Sequence, residues 1–377
     1  MNRLVETIPP SAIRVLNDRK RPNAIDLGMG QPLLRPAMAP LEAAMAWVRE
    51  NGCPYSPNTG FAELRTAIAE HFAYPGLGSP DSVCITIGSQ EALYLPIKSL
   101  IDPQRHEAVV VTPTFPAYQK LCYIEGVTVR EVALSPKTGF APDAKAVLQA
   151  VNERTRLVAL ASPCNPTGRV WSESELRTLS EGLLALPNPP FLLSDEVYAE
   201  LYYTDERPPS PARYYPHTIV ASSLSKSCAL TGLRLGWIMA PLHAAQVMWK
   251  AHQFVVSCAD TIAQRAAIEI FRHPEILRQH RPHYQAQREI LLSALAEEGL
   301  AAIEPEGSFY CLIRLPELWA HRSMEAALKV MEDENVVTIP SSIFGVEGFL
   351  RVTFVASPEK LREGIRRIRR ALSARTT

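Results

Sequence analysis

The sequence predicts an α/β fold: a large domain with a seven-stranded, mostly parallel sheet flanked by helices, and a smaller α+β domain built from both chain termini. Three observations predict it. Short apolar runs alternate with amphipathic helical patterns between residues 80 and 240, the mark of an α/β sheet. Several runs are continuous, such as Ala108-Val109-Val110-Val111 and Leu157-Val158-Ala159-Leu160, as expected of strands covered on both faces. The chain has 377 residues, and single hydrophobic cores stop growing at roughly 250–300, so two lobes are expected.

Taken in order, the large-sheet strands are expected at 82–87, 108–112, 127–132, 157–161, 191–194, 218–222 and 237–240. Helical patterns cover 61–72, 89–100 and 173–186, and another, 243–255, follows the last strand. Residues 260 to about 298 read as helical, with a break at His273-Pro274, because proline cannot sit in a helix interior without loss. Short strands follow at 302–303, 309–314, 336–340 and 349–355, and a basic terminal helix starts at Pro358. The expected division is an N-terminal arm and part of the small domain at 1–45, a large domain at 46–275, and a small C-terminal domain at 276–377.

Composition narrows the partners. Lys+Arg and Asp+Glu are both 39, so the formal net charge is zero. A chain built to meet nucleic acid or a membrane surface needs a basic excess. No apolar run reaches the 18 or so residues of a membrane span. Seven cysteines, an odd number without C-x-x-C spacing, fit neither a zinc site nor a complete disulfide framework. They suit a reducing compartment. The first twenty residues lack the apolar core of a secretory signal, so a cytoplasmic location is expected.

Open α/β sheets bind ligands beyond the carboxyl ends of their strands. Four expected strands run into polar segments there: Gly88-Ser89-Gln90-Glu91, Asn165-Pro166-Thr167-Gly168, Asp195-Glu196-Val197-Tyr198 and Ser223-Leu224-Ser225-Lys226. Singly, each has an ordinary structural explanation. Asn-Pro-Thr-Gly makes a turn in any protein, Asp195 and Ser89 suit helix caps, and Lys226 suits a solvated loop. Jointly they gather an amide, a carboxylate, a phenol and an amine at one crevice.

These segments, with Gly28-Met29-Gly30-Gln31-Pro32, Tyr55-Ser56-Pro57-Asn58-Thr59-Gly60, Pro113-Thr114-Phe115-Pro116-Ala117-Tyr118, Gly232-Leu233-Arg234-Leu235-Gly236 and Arg351, come in the order of a known family. From about Leu27 to Thr353 the chain resembles the fold type I, pyridoxal-phosphate-dependent aminotransferases of the class I/II group. The resemblance implies a homodimer with shared active sites that moves an α-amino group from an amino acid to a 2-oxo acid with ping-pong kinetics. A β-eliminating C–S lyase on the same fold is the alternative. A ligand-sensing regulator would need an attached DNA-binding domain, which this chain is not expected to carry. A nicotinamide enzyme would need the third glycine of G-x-G-x-x-G, which Gly28-Met29-Gly30-Gln31-Pro32-Leu33 lacks.

The resemblance also implies roles. Lys226 would hold pyridoxal 5′-phosphate as a Schiff base and, once displaced, move the substrate's Cα proton. Asp195 would keep the pyridine nitrogen protonated by charge pairing. Tyr198 and Asn165 would bond the ring oxygen. Ser89 and Gln90, at a strand-to-helix turn, would bind the phosphate through free N–H groups, with Ser223 and Arg234 beside them. Phe115 would stack on the ring, where tyrosine or tryptophan is commoner in the family. Arg351 would grip the substrate carboxylate bidentately, with Asn165 and the Gly30 backbone nearby. An arginine within an apolar strand is costly unless paired, which points to a ligand independently. Tyr55 would reach the cofactor phosphate of the partner subunit. No metal is expected. Arg35 is the candidate clamp for a distal carboxylate, but is expected to be a solvated loop arginine, so neutral or aromatic donors are expected to serve at least as well as aspartate.

Overall fold

The structure, a computed structural model, describes residues 3–8, 16 and 18–373. The remaining residues of the expected 1–45 arm (1, 2, 9–15 and 17) lie outside the described residues. The strands in chain order are β1 (Ile25–Asp26), β2 (Val83–Ile87), β3 (Glu107–Thr112), β4 (Thr128–Ala133), β5 (Thr155–Ala161), β6 (Phe191–Asp195), β7 (Thr218–Ser223) and β8 (Leu235–Met239). They continue with β9 (Ala302–Ile303), β10 (Tyr310–Arg314), β11 (Val336–Val337), β12 (Ile339–Pro340) and β13 (Phe349–Thr353).

β2 to β8 form one seven-stranded sheet in the order β2-β8-β7-β6-β5-β3-β4. The run from β7 to β4 is parallel, and β8 is antiparallel to both neighbours. The continuous apolar runs have the expected cause. Along β5, Leu157 and Ala159 enter one core cluster while Val158 and Leu160 enter another on the opposite face. In β2, Val83 and Ile85 face one cluster and Cys84 the other. With side chains alternating across a strand, helices on both faces require apolar residues at every position. Burying each such leucine or valine is worth about 1.5–3 kcal/mol, so the interior strands hold the sheet together.

β8 begins at Leu235, two residues before the expected start, and pairs there with Ile87. Since β8 runs backwards, its beginning lies at the same edge as the ends of β2 and β7. Residues just before β8 and just after β2, β3, β5, β6 and β7 therefore share one rim.

The smaller unit holds an antiparallel sheet, β12-β13-β10-β9. Residues 336–340, expected as one strand, divide. Val336–Val337 pairs in parallel with β1, and Ile339–Pro340 pairs with β13. The segment changes partners at Thr338, between the two pairings. β1 thus ties the N-terminal segment to the C-terminal unit.

Among the described residues, five α-helices were absent from the sequence expectation: Arg3–Glu6, Ala39–Asn51, Ala117–Ile124, Ala144–Ala150 and Ser323–Glu334. The helix Ala144–Ala150 is only seven residues long, too short for a strong period, but Asp143 caps it by accepting from the Ala146 N–H at 2.9 Å. All seven cysteines are free. Among the described residues, no helix is long and apolar enough to cross a membrane.

Candidate active site

A cavity of about 300 Å³ opens at the shared rim. Of the residues expected at the site, Gly30, Ser89, Gln90, Phe115, Asn165, Asp195, Tyr198, Lys226, Arg234 and Arg351 line it. Ser223 and Tyr55 do not. Ser223 is buried, with its hydroxyl accepting from the Ser225 N–H at 3.4 Å, and Ser225 forms the wall instead. Tyr55 is 88% exposed. Arg35 is exposed and outside the cavity lining.

Lys226, partly buried in the turn after β7, donates from Nζ to the Gly30 carbonyl at 2.7 Å. Asp195 ends β6 and is buried. Its Oδ1 accepts from the Val197 N–H at 3.1 Å, turning the chain locally, and its Oδ2 accepts from the Tyr118 hydroxyl at 2.6 Å. Burial pushes its carboxyl up to about 6, against those two hydrogen bonds. It makes no ion pair among the described residues. Tyr198 lies in an irregular turn rather than a helix. Its hydroxyl is 2.9 Å from that of Tyr310, and burial, followed by Tyr310, pushes the phenol well up.

Arg351 lies in β13 and is 2% exposed. It donates to Asn165 Oδ1 at 3.0 Å and to the Gly28 carbonyl, both neutral acceptors, and its Nε has no partner. The Tyr310 ring lies 4.4 Å from the guanidinium carbon. Burial pushes this guanidinium down. Arg234, in the left-handed conformation just before β8, is exposed and donates to the Thr231 carbonyl at 3.1 Å.

The phosphate turn differs from expectation in one respect. The helix begins at Gly88 with Ile87 as its N-cap, so Ser89 falls in the first turn and is not the cap. Gly88 has φ +70°, and a Cβ there would lie 2.6 Å from Arg234 Nη2. A Cβ on Gly236 would lie 2.5 Å from the Gly88 carbonyl carbon. Both glycines are required by close approach of the guanidinium, the turn and β8.

Sequence reasoning gave no role to Tyr118 or Tyr310. Tyr118 stands three residues after Phe115, in the first turn of the helix Ala117–Ile124 that Phe115 precedes. Tyr310 has only the two-residue alternation of its strand as a signal, which cannot distinguish a cavity wall from a core position.

The charges leave a pattern that protein groups do not complete. A buried carboxylate lacks a cation, a buried guanidinium lacks an anion, and a second guanidinium faces a turn of free N–H groups. The arrangement suits a ligand with a protonated ring nitrogen at Asp195 and a phosphate at Ser89 and Arg234, plus a carboxylate at Arg351. With a lysine amine in the same cavity, the residues fit pyridoxal 5′-phosphate and an amino acid. A sheet of this topology with such a site defines a pyridoxal-phosphate enzyme of fold type I.

Comparison with known proteins specifies it further. The model of the aminotransferase class I and II family matches residues 22–368. The chain is 31% identical to the aspartate/prephenate aminotransferase of Thermus thermophilus, over 99% of this chain and 98% of the relative. It is 32% identical to a probable N-acetyl-LL-diaminopimelate aminotransferase of Bacillus subtilis, over 92% of this chain and 88% of that protein. The solved structure of Thermus thermophilus aspartate aminotransferase with maleate superposes with a TM-score of 0.92 at 30% identity, covering 99% of both chains. The chain belongs to the class I and II aminotransferase family, and is a pyridoxal-phosphate-dependent aminotransferase; the lyase alternative is not favoured.

Proposed function

We propose that pyridoxal 5′-phosphate is held at Lys226 in this cavity, and that the enzyme works as a cytoplasmic homodimer on amino acids and 2-oxo acids. The observation that carries the reading is the trio of unpaired charges, Asp195, Arg234 and Arg351, around one lysine amine. When bound, the cofactor supplies an electron sink for the electrons of a broken Cα–H bond.

The chain's own groups do the rest. Lys226 anchors the cofactor and then, as a free amine, carries the proton at the substrate Cα. Asp195 holds a proton on the ring nitrogen, with Tyr118 fixing the carboxylate's orientation. Tyr198 donates to the ring oxygen and Asn165 shares it. The Ser89 and Gln90 turn and Arg234 hold the phosphate, with Ser223 behind the wall that Ser225 forms. Phe115 covers one ring face and keeps water from it. Arg351 orients the substrate carboxylate, with the Gly30 backbone beside it. Tyr55 completes the partner's phosphate site. The division proposed is 1–45, 46–275 and 276–377; what supports two lobes is that the cavity is lined by Lys226 and Asp195 beside the large sheet and by Arg351 and Tyr310 from the four-stranded one.

Among the described residues, Arg351 and Arg234 are the two guanidiniums that line the cavity, and each already has a use, which supports a preference for donors without a distal carboxylate. A panel of amino donors with 2-oxoglutarate and pyruvate, read as single-turnover loss of the cofactor's colour, tests this. Neutral or aromatic donors are expected to match aspartate or exceed it. If Arg35→Ala lowers kcat/KM for aspartate by about a hundredfold while sparing neutral donors, as removal of a charge partner does, Arg35 is a distal clamp and the preference is refuted.

A further inference from the structure

A polar pair is buried beside the phosphate turn without lining the cavity. His252, on the helix Leu242–Val256, is 0% exposed, and Glu91 is 8% exposed. His252 Nδ1 is 2.7 Å from Glu91 Oε1, and Nε2 is 2.8 Å from the Asn58 carbonyl oxygen. Glu91 Oε2 accepts from the Ile87 N–H at 2.6 Å. One end of the pair therefore touches the residue that opens the phosphate turn. The other touches the loop that carries Tyr55.

The geometry sets the proton count. A carboxylate and a carbonyl only accept, and a neutral imidazole has one N–H to give. With a single ring proton, one bare nitrogen would face an oxygen lone pair in a site closed to water, which is costly. With both nitrogens protonated, each contact is a hydrogen bond, and the ion pair with Glu91 is neutral as a whole. The Ile87 N–H donated to Glu91 Oε2 favours the carboxylate form of Glu91, which leaves both ring nitrogens of His252 as the donors. Nearby Cys84 feels this carboxylate: burial first, and Glu91 second, push its thiol well up, while Arg65 acts the other way. Arg65 itself is engaged with Asp81 and the Pro80 carbonyl.

We propose that His252, as a doubly donating imidazolium, and Glu91 form a positioning pair that keeps the phosphate turn in register with the Tyr55 loop, and so sets the affinity for the phosphate of the cofactor. This rests on the reading of Gly88-Ser89-Gln90 as the phosphate site. The loop has other anchors, from the Ile85 N–H to the Thr59 carbonyl at 3.0 Å and from Gln264 Nε2 to Ser56 Oγ at 2.8 Å. Loss of the pair therefore loosens the register between loop and turn without unfolding the loop.

The test titrates apoenzyme with pyridoxal 5′-phosphate and, separately, with pyridoxal, in wild type, His252→Gln and Glu91→Gln. The variants are expected to bind pyridoxal 5′-phosphate about tenfold more weakly or worse, and pyridoxal with little change. If wild type does not prefer the phosphorylated form, the phosphate reading falls and takes the proposal with it. If wild type prefers it but the variants match wild type, or weaken toward both compounds alike, the positioning role is overturned and the phosphate site stands. A second measurement requires no variant to bind cofactor. Nitrogen-15 spectra of histidine-labelled wild type near neutral pH should show both His252 ring nitrogens protonated, the signal being assigned by its loss in His252→Gln. A bare ring nitrogen overturns the proposal.

Discussion

Asp195 carries the clearest pH signature of any residue in the site. Its carboxyl is pushed from 3.8 to about 6 by burial first, with Tyr118, the Val197 N–H and the Lys226 amine acting the other way. The folded chain therefore holds this proton more tightly than the unfolded chain between those values. The contribution of Asp195 to stability is fully favourable below pH 4 and is lost as pH rises through about 6, by roughly 3 kcal/mol from a shift of that size. Asp195→Asn apoprotein should accordingly melt higher than wild-type apoprotein at pH 7.5, with the gain vanishing near pH 4. The same variant should lose turnover by well over tenfold, because a neutral amide cannot retain the ring proton. Unchanged melting and turnover within about threefold, well under 1.4 kcal/mol in barrier, would reduce Asp195 to a turn-former. Asp195, Lys226 and Arg351 were legible in the sequence because their neighbours form ordered motifs. Tyr118 and Tyr310 were not, because a tyrosine packed in a core and one whose hydroxyl meets Asp195, as Tyr118 does, or Tyr198, as Tyr310 does, have the same local sequence.

Among the elements, β8 matters most to the site although it contributes no catalytic side chain. Its reversed direction brings Arg234 to the rim where β2 and β7 end, and two glycines admit it. Gly88→Ala should drive Arg234 from the turn, since the new methyl would sit 2.6 Å from its Nη2 in a left-handed conformation. The expected result is at least tenfold weaker binding of pyridoxal 5′-phosphate, from loss of a charge-assisted contact worth about 1.5–3 kcal/mol, with a smaller effect on pyridoxal. Equal affinity of wild type and Gly88→Ala for pyridoxal 5′-phosphate would place the phosphate elsewhere. The strands of the large sheet were readable because double burial writes itself as apolar runs. The division at Thr338 was not, because the partner of β11 comes from residue 25, and no local pattern records a pairing over that distance. The helices Ala117–Ile124 and Ala144–Ala150 were missed for a different reason: each is only about two turns long, which leaves too few residues for a period.

For the whole molecule, two large aromatics stand out in solvent. Tyr55 is 88% and Phe254 87% exposed, and Asn58 Nδ2 donates to the Ser257 carbonyl, which ties their two segments together. Their exposure is what the proposed homodimer would account for. A two-fold dimer burying roughly 2,000 Å² or more would cover them and bring Tyr55 to the partner's cavity. Mixing inactive Tyr55→Ala subunits with inactive Lys226→Ala subunits should then restore partial activity, because one of the two sites in a heterodimer carries neither change. A fully active monomer in sedimentation would contradict the shared site. The central claim, that this cavity is built around cofactor held by one lysine, is tested most directly by borohydride reduction of the yellow holoenzyme followed by peptide mass mapping. A phosphopyridoxyl group on Lys226 alone is the result predicted; the group on another lysine, or on none, would contradict it.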